Sequence, residues 1–524
     1  MIESSTAVLP ASTTVLVIGY GPVGATIAAL LGRYGVATLV IDRLDEILLI
    51  PRAIALDNEA LRILQMAGLG EDAFARIAIP EVRMHSPLLG QFARANTAGS
   101  IDGHPRLVTF YQPELEQALR REVAQWPNVQ FCSGLELLDL QQDALGVTAI
   151  LKDAAGARRE VRADYLIGAD GASSRVRNLI GQDFQGTTYA EDWLIVDAGQ
   201  REGKAIDHVE FICDPRRPAP HMPAPGGRER WEFMLQPGES AAQMEQPEQL
   251  AALLGRWIQP QDLHIERQAV YRFHARCCDS FQQGRVFLAG DAAHITPPFV
   301  GQGLVAGLRD AANLCWKLAW VCRGHAAPAI LASYDSERRP HAHKMINLAK
   351  RMGHLIMPRS QLKALLVHGL MRLAGLVPPL RRLFEELKIK PANHFASGLF
   401  VAGKSSGGQL AQGLVKPLGS AILLSDEVLG DQLSLVGFGV DPQAGLDEPT
   451  RTRWLARGGQ FLQVGLRGQR PAGNTRFVED MSDALVPAIK PGQLAVVRPD
   501  RVIMHSAPAA QARQLLEECL ALLD

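Results

Sequence analysis

Between a β-branched run, Thr14 to Ile18, and a helical stretch, Ala25 to Tyr34, lies Gly19-Tyr20-Gly21-Pro22-Val23-Gly24. No other segment restricts the fold as much. Gly19 permits a tight turn, Gly21 lets a pyrophosphate approach the backbone, and Gly24 lets helix and strand pack closely. Gly35 ends the helix, and a second apolar run, Ala37 to Ile41, closes on Asp42 and Arg43. This is a βαβ unit of about 30 residues. Its phosphate would sit on the free N–H groups of the helix start, and Asp42 suits a ribose hydroxyl pair. The motif alone does not choose between a nicotinamide and a flavin dinucleotide.

Composition removes other classes. Lys plus Arg number 54 and Asp plus Glu 55, a net charge of -1, which argues against a dedicated nucleic-acid binder. Ala364 to Leu380 is the most apolar later stretch, but His368, Arg372 and two prolines interrupt it, so no membrane span is expected. No Lys or Arg precedes Arg33, so a secretory n-region is missing and the cytoplasm is the expected location. The seven cysteines, at 132, 213, 277, 278, 315, 322 and 519, form no CxxC pair; reduced thiols and no metal site are expected.

A second motif reads RVFLAGDAAHITPPFVGQGLVAGLRDAANLCWKL, residues 285–318. A strand, Val286 to Ala289, delivers Gly290-Asp291. Pro297 and Pro298 stiffen a loop, and Gly301-Gln302-Gly303-Leu304 opens a helix. A simple nicotinamide dehydrogenase has no need of this stretch. A two-ended grip on FAD does: Asp291 at the ribityl and pyrophosphate segment, and the 301–304 amides at the isoalloxazine, where the helix dipole favours the negative charge of reduced flavin. A third motif, Gly168 to Arg177 (GADGASSRVR), places Asp170 at a strand end. By itself it reads as a turn capped by Ser173 or Ser174; beside the other two it reads as part of the dinucleotide site.

Residues 190–283 change period. Val209, Phe211 and Cys213 share one face, as do Trp231, Phe233 and Leu235, and Ala269, Tyr271, Phe273 and Ala275. This predicts a half-buried antiparallel sheet whose apolar face can wall a pocket. A Pro-rich loop, Pro215 to Gly227, joins two of its strands. Arg52 to Met66 reads as helix and Tyr165 to Ile167 as a short strand. Helices dominate from Leu304 to about Lys388, and alternating strands return from about 396.

Taken in order, the three motifs resemble those of the flavoprotein aromatic hydroxylases, single-component FAD monooxygenases related to p-hydroxybenzoate hydroxylase. Pro51 to Arg62 (PRAIALDNEALR), Tyr111 to Glu116 (YQPELE), Trp231 to Glu239 (WEFMLQPGE) and Val497 to Arg501 (VRPDR) are similar to the 3-(3-hydroxyphenyl)propionate hydroxylase branch. The resemblance implies an α/β chain: a Rossmann-like FAD-binding domain, an inserted mixed β-sheet substrate domain and a C-terminal thioredoxin-like domain without redox cysteines. The segments are then 1–82, 106–189 and 284–395 for the FAD-binding domain with its helical connection, 83–105 and 190–283 for the substrate domain, and 396–524 for the tail.

The resemblance also implies roles. Arg52 and Gln112 match residues lining the flavin, Asp170 an acid serving FAD and transient nicotinamide, Asp291 the second FAD-binding acid, and Pro297 a proline whose carbonyl faces the substrate. The implied reaction uses FAD, NADH or NADPH, and O2. It places oxygen ortho to the hydroxyl of a small phenolic substrate through a flavin C4a-hydroperoxide, in a monomer or homodimer. The alternatives are a flavin oxidoreductase without oxygenation and a hydroxylase of another aromatic or polyketide ring. Pro297, Arg52 and Tyr271 are the catalytic candidates. The bland reading of Tyr271 is a core tyrosine; that of His294 is a structural hydrogen bond; and that of Arg338, Arg339, His341 and His343 is a solvated helix face. Arg216, Arg217, Arg228 and Arg230 flank the Pro-rich loop and are candidates for a substrate carboxylate. The chain departs from the family at Val305, where the family usually carries Asn.

Overall fold

The computed structural model describes residues 9–49, 52–200, 206–257, 263–358, 360–385, 390–486 and 489–524. Pro51, in one of the quoted segments, lies outside them.

The first sheet runs in the order Val129–Cys132, Thr38–Ile41, Ser12–Ile18, Arg158–Gly168, Val147–Lys152, Glu136–Gln142, with Val286–Leu288 also paired to Arg158–Gly168. Register decides what this sheet can do. Ile18 pairs with Ile41 and with Gly168, and Gly168 pairs with Leu288, all in parallel. The four strands therefore end level, and the loops after them leave from one edge, where open α/β sheets bind ligands. Separate motifs at residues 19, 42, 169 and 290 are brought together by this register.

Helix Pro22–Arg33 packs on the sheet, and helix Gly303–Cys322 packs against Pro22–Arg33. The second is buried on almost every side over 20 residues, so its sequence is apolar all round rather than amphipathic. The expected helix from Arg52 begins later. Ala55–Asp57 is a strand, and Asp57 caps the helix Asn58–Met66 by accepting from Ala60 N at 2.9 Å. The strand expected at Tyr165 to Ile167 extends over Arg158–Gly168, because its outer half pairs in a hairpin with Val147–Lys152.

The second sheet has the order His294–Ile295, Leu263–Cys278, Phe184–Gln200, Arg228–Met234, Ala219–Ala224, Val209–Ile212, Glu81–Ser86, Gly90–Asn96. It is mixed, because Val209–Ile212 and Glu81–Ser86 run parallel. Inside the segment read as a Pro-rich loop, Ala219–Ala224 is a strand between two others, although proline usually keeps to edges. One face of this sheet carries Trp231 and Phe233, packed with Leu194, Val196 and the helices Ala241–Met244 and Pro247–Leu254. The expected pocket wall was drawn through these two residues; they lie on the opposite face. Both faces of the sheet are buried, so alternation identifies two faces without saying which one meets the ligand.

The tail forms a seven-stranded sheet flanked by Glu448–Ala456 and Ala512–Ala521. Its only cysteine, Cys519, is buried and free. It meets the rest of the chain through apolar packing and through buried ions. Arg62 binds Asp426 at 2.7 and 2.8 Å, and Arg498 binds Glu337. The helix Ser333–Ile356 is not a solvated face at Arg338 and His341. Both are buried, with Arg338 Nε donating to Asp310 at 2.9 Å. Among the described residues no helix is long and apolar enough to cross a membrane.

Candidate active site

A cavity of about 1340 Å³ opens along the level edge of the first sheet and continues to the second. Gly19, Gly21, Asp42, Arg43, Arg52, Gln112, Asp170, Asp291, Pro297, Pro298, Gly301, Gln302, Gly303, Leu304 and Tyr271 line it. Gly24 and Gly290 stand behind the wall, and geometry says why they are glycines. A Cβ on Gly24 would come 2.0 Å from Gly19 O, and one on Gly290, at φ +61, would press on Val23. A Cβ on Gly21 would meet nothing within 4 Å; it would project into open space.

The Arg52 loop is held by Gln112, whose Oε1 accepts from Arg52 N and Ala53 N, both at 2.9 Å. Gln112 Nε2 donates to Glu116 at 2.8 Å, which fixes the amide orientation. Asp42 accepts from Tyr20 N at 2.7 Å and Leu44 N at 2.9 Å, so part of its carboxylate braces the glycine turn. Asp170 accepts from Ser174 Oγ at 2.5 Å and from the N–H groups of Arg175 and Val176. With Ser174 capping at Arg177 N, the capped-turn reading holds for this segment, which also lines the cavity.

Asp291 differs. Among the described residues its carboxyl has no hydrogen-bond partner, it lines the cavity, and burial pushes it up against the opposing pull of Arg52 and His294. A half-buried acceptor without a partner at a cavity wall suits a ligand that donates to it. His294 turns inward to Asp310 at 2.7 Å, both side chains buried, as a structural hydrogen bond would.

Gln302 makes unforeseen bonds. Nε2 donates to Asp57 at 3.0 Å and Oε1 accepts from Arg309 at 3.0 Å, joining a buried set with Glu59 and Lys390. Burial alone would raise the Asp57 carboxyl; Lys390 and Arg309 hold it well below the usual range. Asp57 and Glu59 lie in the Pro51 to Arg62 segment, whereas Arg309 and Lys390 come from distant parts of the sequence, and nothing local signalled that the four would meet. Val305 follows in the same helix and is fully buried in the apolar core.

On the substrate side the wall is Ile195, Val209, Phe211, Met222, Glu232, Tyr271 and Phe273. Tyr271 is not a core tyrosine: it is half-buried at the cavity, and Arg267 donates to its Oη. The arginines of the 215–230 segment do not line the cavity. Arg217 pairs with Glu239, Arg228 with Glu266 and Arg230 with Asp197. Arg106 and Arg272 do line it.

The family described as "FAD binding domain" matches residues 12–349. The chain belongs to this family. It also matches the "HcaD C-terminal domain" family over residues 407–522. A 3-(3-hydroxy-phenyl)propionate/3-hydroxycinnamic acid hydroxylase of Burkholderia vietnamiensis is 37% identical over 515 residues, covering 95% of this chain and 94% of that protein. The enzyme of that name from Klebsiella pneumoniae is 36% identical over 503 residues, covering 93% and 91%. The flavin-dependent monooxygenase PieE, solved with FAD and substrate, superposes with a TM-score of 0.79 at 22% identity, covering 98% of this chain and 99% of that one. This FAD-binding family member is thus a flavin-dependent aromatic hydroxylase, and its cofactor is FAD. The residues fit that cofactor: the open space at Gly21, the unpartnered Asp291 and the amides of 301–304 face one cavity.

Proposed function

We propose that the protein hydroxylates a 3-(3-hydroxyphenyl)propionate-like phenol ortho to its hydroxyl, with NADH or NADPH as the electron source. The observation that carries this is the continuity of the cavity, from the glycine turn and Asp291 to a wall of Phe211, Met222, Tyr271 and Phe273. The relatives' printed names support the substrate class. Bound FAD, once reduced, supplies an activated oxygen atom from O2.

The chain's own residues bind, orient and shield. The first glycine turn and Asp42 take the adenosine end; Asp291, the Arg52 loop on Gln112 and the 301–304 amides take the flavin end. The apolar wall excludes water, which would divert the oxygen into peroxide. Pro297 and Tyr271 are the proposed substrate contacts. The propionate falls to Arg106, which lines the cavity; the 215–230 arginines do not, and Arg272 is held by Asp192 at 2.7 and 2.8 Å. The six-segment division drawn from the sequence and a cytoplasmic location are part of this proposal. NAD(P)H oxidation over a panel of phenols, with product identification, tests it. Hydroxylated 3-(3-hydroxyphenyl)propionate is expected, and peroxide without product from every phenol refutes it.

The assembly proposed is a homodimer through the helix Gln361–Ala374. Its inner side sets His368 on Phe92, ring centroids 4.1 Å apart. Its outer side exposes Leu362, Leu365, Leu366, Leu370 and Leu373, and the stripe continues through Leu376 and Leu380. A contiguous exposed apolar stripe of this kind marks an interaction surface. Light scattering should give twice the chain mass, and Leu366→Glu with Leu370→Glu should halve it; a monomeric wild type refutes the dimer.

A further inference from the structure

Strand register in the substrate sheet sets up two rows. Asp197 pairs with Arg230 on one side and Arg267 on the other; Ile195 pairs with Glu232 and with Ala269. Rows two residues apart face the same way, and this is the cavity side, since Ile195, Glu232 and Tyr271 all line it. The first row is saturated. Arg230 reaches Asp197 at 2.6 and 3.0 Å, Arg267 reaches Asp197 at 3.0 Å, and Arg267 also donates to Tyr271 Oη. Glu232 is different. It is 7% exposed, and among the described residues its carboxyl accepts no hydrogen bond. A buried carboxyl left without a partner at a cavity wall calls for a ligand group to complete it.

We propose that Glu232 is the base that takes the phenolic proton of the substrate. A ring lying over Ile195 has Glu232 on one flank and Tyr271 on the other. Strands stand about 4.8 Å apart, so the two flanks, two strands apart, leave roughly 10 Å for it. The groups facing Glu232 are Arg230 on its own strand, Asp197 on the next, and Arg267 beyond. The Arg230–Asp197–Arg267 row carries one net positive charge, which favours the phenolate over the phenol. Burial pushes the Glu232 carboxyl up and Arg230 opposes it; a carboxylate of raised proton affinity is the better match for a phenol.

The step balances. The phenol O–H bond breaks, a carboxyl O–H bond forms on Glu232, and the negative charge passes from the carboxylate to the ring, whose ortho carbon becomes the better nucleophile. After oxygen transfer, the ring ketone takes that proton back as the ring carbon releases its own to water, and Glu232 is again a carboxylate.

The inference rests on the phenol hydroxylase reading, which wild-type product formation tests separately. In the FAD-loaded enzyme, Glu232→Gln keeps size and polarity but cannot take a proton. Product formation should fall by about 100-fold or more, with substrate still binding and NAD(P)H diverted to peroxide. The acid limb of the wild-type pH profile should vanish in Glu232→Gln and return in Glu232→Asp. A ring-fluorinated substrate, whose hydroxyl ionises at lower pH, should restore much of the lost product. Equal losses on both substrates, or an unchanged pH profile, would overturn the assignment, as would wild-type product yield in Glu232→Gln.

Discussion

Arg498 and Glu337 meet as a buried two-pronged ion pair, Nη1–Oε1 2.7 Å and Nη2–Oε2 2.9 Å, where the tail sheet docks on the helix Ser333–Ile356. Both side chains are wholly out of solvent. Asp500, Lys317 and Asn313 complete the set. Removing one partner of such a pair strands the other. Arg498→Met should therefore lower the unfolding free energy by about 3–5 kcal/mol, read from urea melts, with the tail sheet separating first by limited proteolysis.

Lys317 in this set gives a pH signature. Burial pushes its ammonium down to about 8, despite Glu337 beside it, from an ordinary value of roughly 10.4. Between those values the unfolded chain holds a proton that the folded chain lacks, so this residue makes stability rise with pH across that window. Lys317→Met should remove the rise. The difference in unfolding free energy between wild type and variant should change by about 2 kcal/mol from pH 8 to pH 10; a constant difference would refute it.

Asp291→Ala and Gly21→Val should separate cofactor binding from folding. The alanine leaves a donor of the cofactor unpaired, weakening FAD by about 1–3 kcal/mol. The valine at 21 meets no protein atom at its Cβ but occupies the pyrophosphate approach, so FAD should be lost while circular dichroism stays native. Gly24→Ala, blocked by Gly19 O, should instead lose the fold.

Val305→Asn restores the family's usual residue. Val305 is fully buried among apolar neighbours, so an amide there lacks partners. The expected cost is about 1–3 kcal/mol in thermal melts, with FAD retained because backbone amides do not depend on this side chain. Complete loss of flavin in a folded variant would mean that residue 305 packs against the cofactor.

The half of the cavity along the first sheet was legible because its lining is local: a glycine turn, a strand-end acid and a helix start each occupy a few consecutive residues. The substrate half was not. Alternation puts Trp231 and Phe233 on the expected pocket wall, whereas their neighbour Glu232 faces the cavity; with both faces of the sheet buried, period two cannot distinguish them. Arg230 read as a carboxylate receptor until Asp197, 33 residues earlier, proved to hold it. Ala219–Ala224 hid behind two prolines. Asp57, Arg309 and Lys390 span more than 300 residues, and only the fold joins them.

The peptide at Arg52 is gripped from two sides: its N–H by Gln112, and its C=O by Arg230 at 3.1 Å, the arginine that Asp197 holds. Anyone redesigning substrate scope inherits that coupling. Changes at Arg230 or Asp197 would release the cofactor loop along with the pocket, and poor turnover would be mistaken for poor recognition. Phe273 reaches the same cavity and packs with Trp193 and Phe299, whereas Met222 pairs across to Arg230 and packs with Ile54; Phe273 is the position from which selectivity can be varied with that loop left in place.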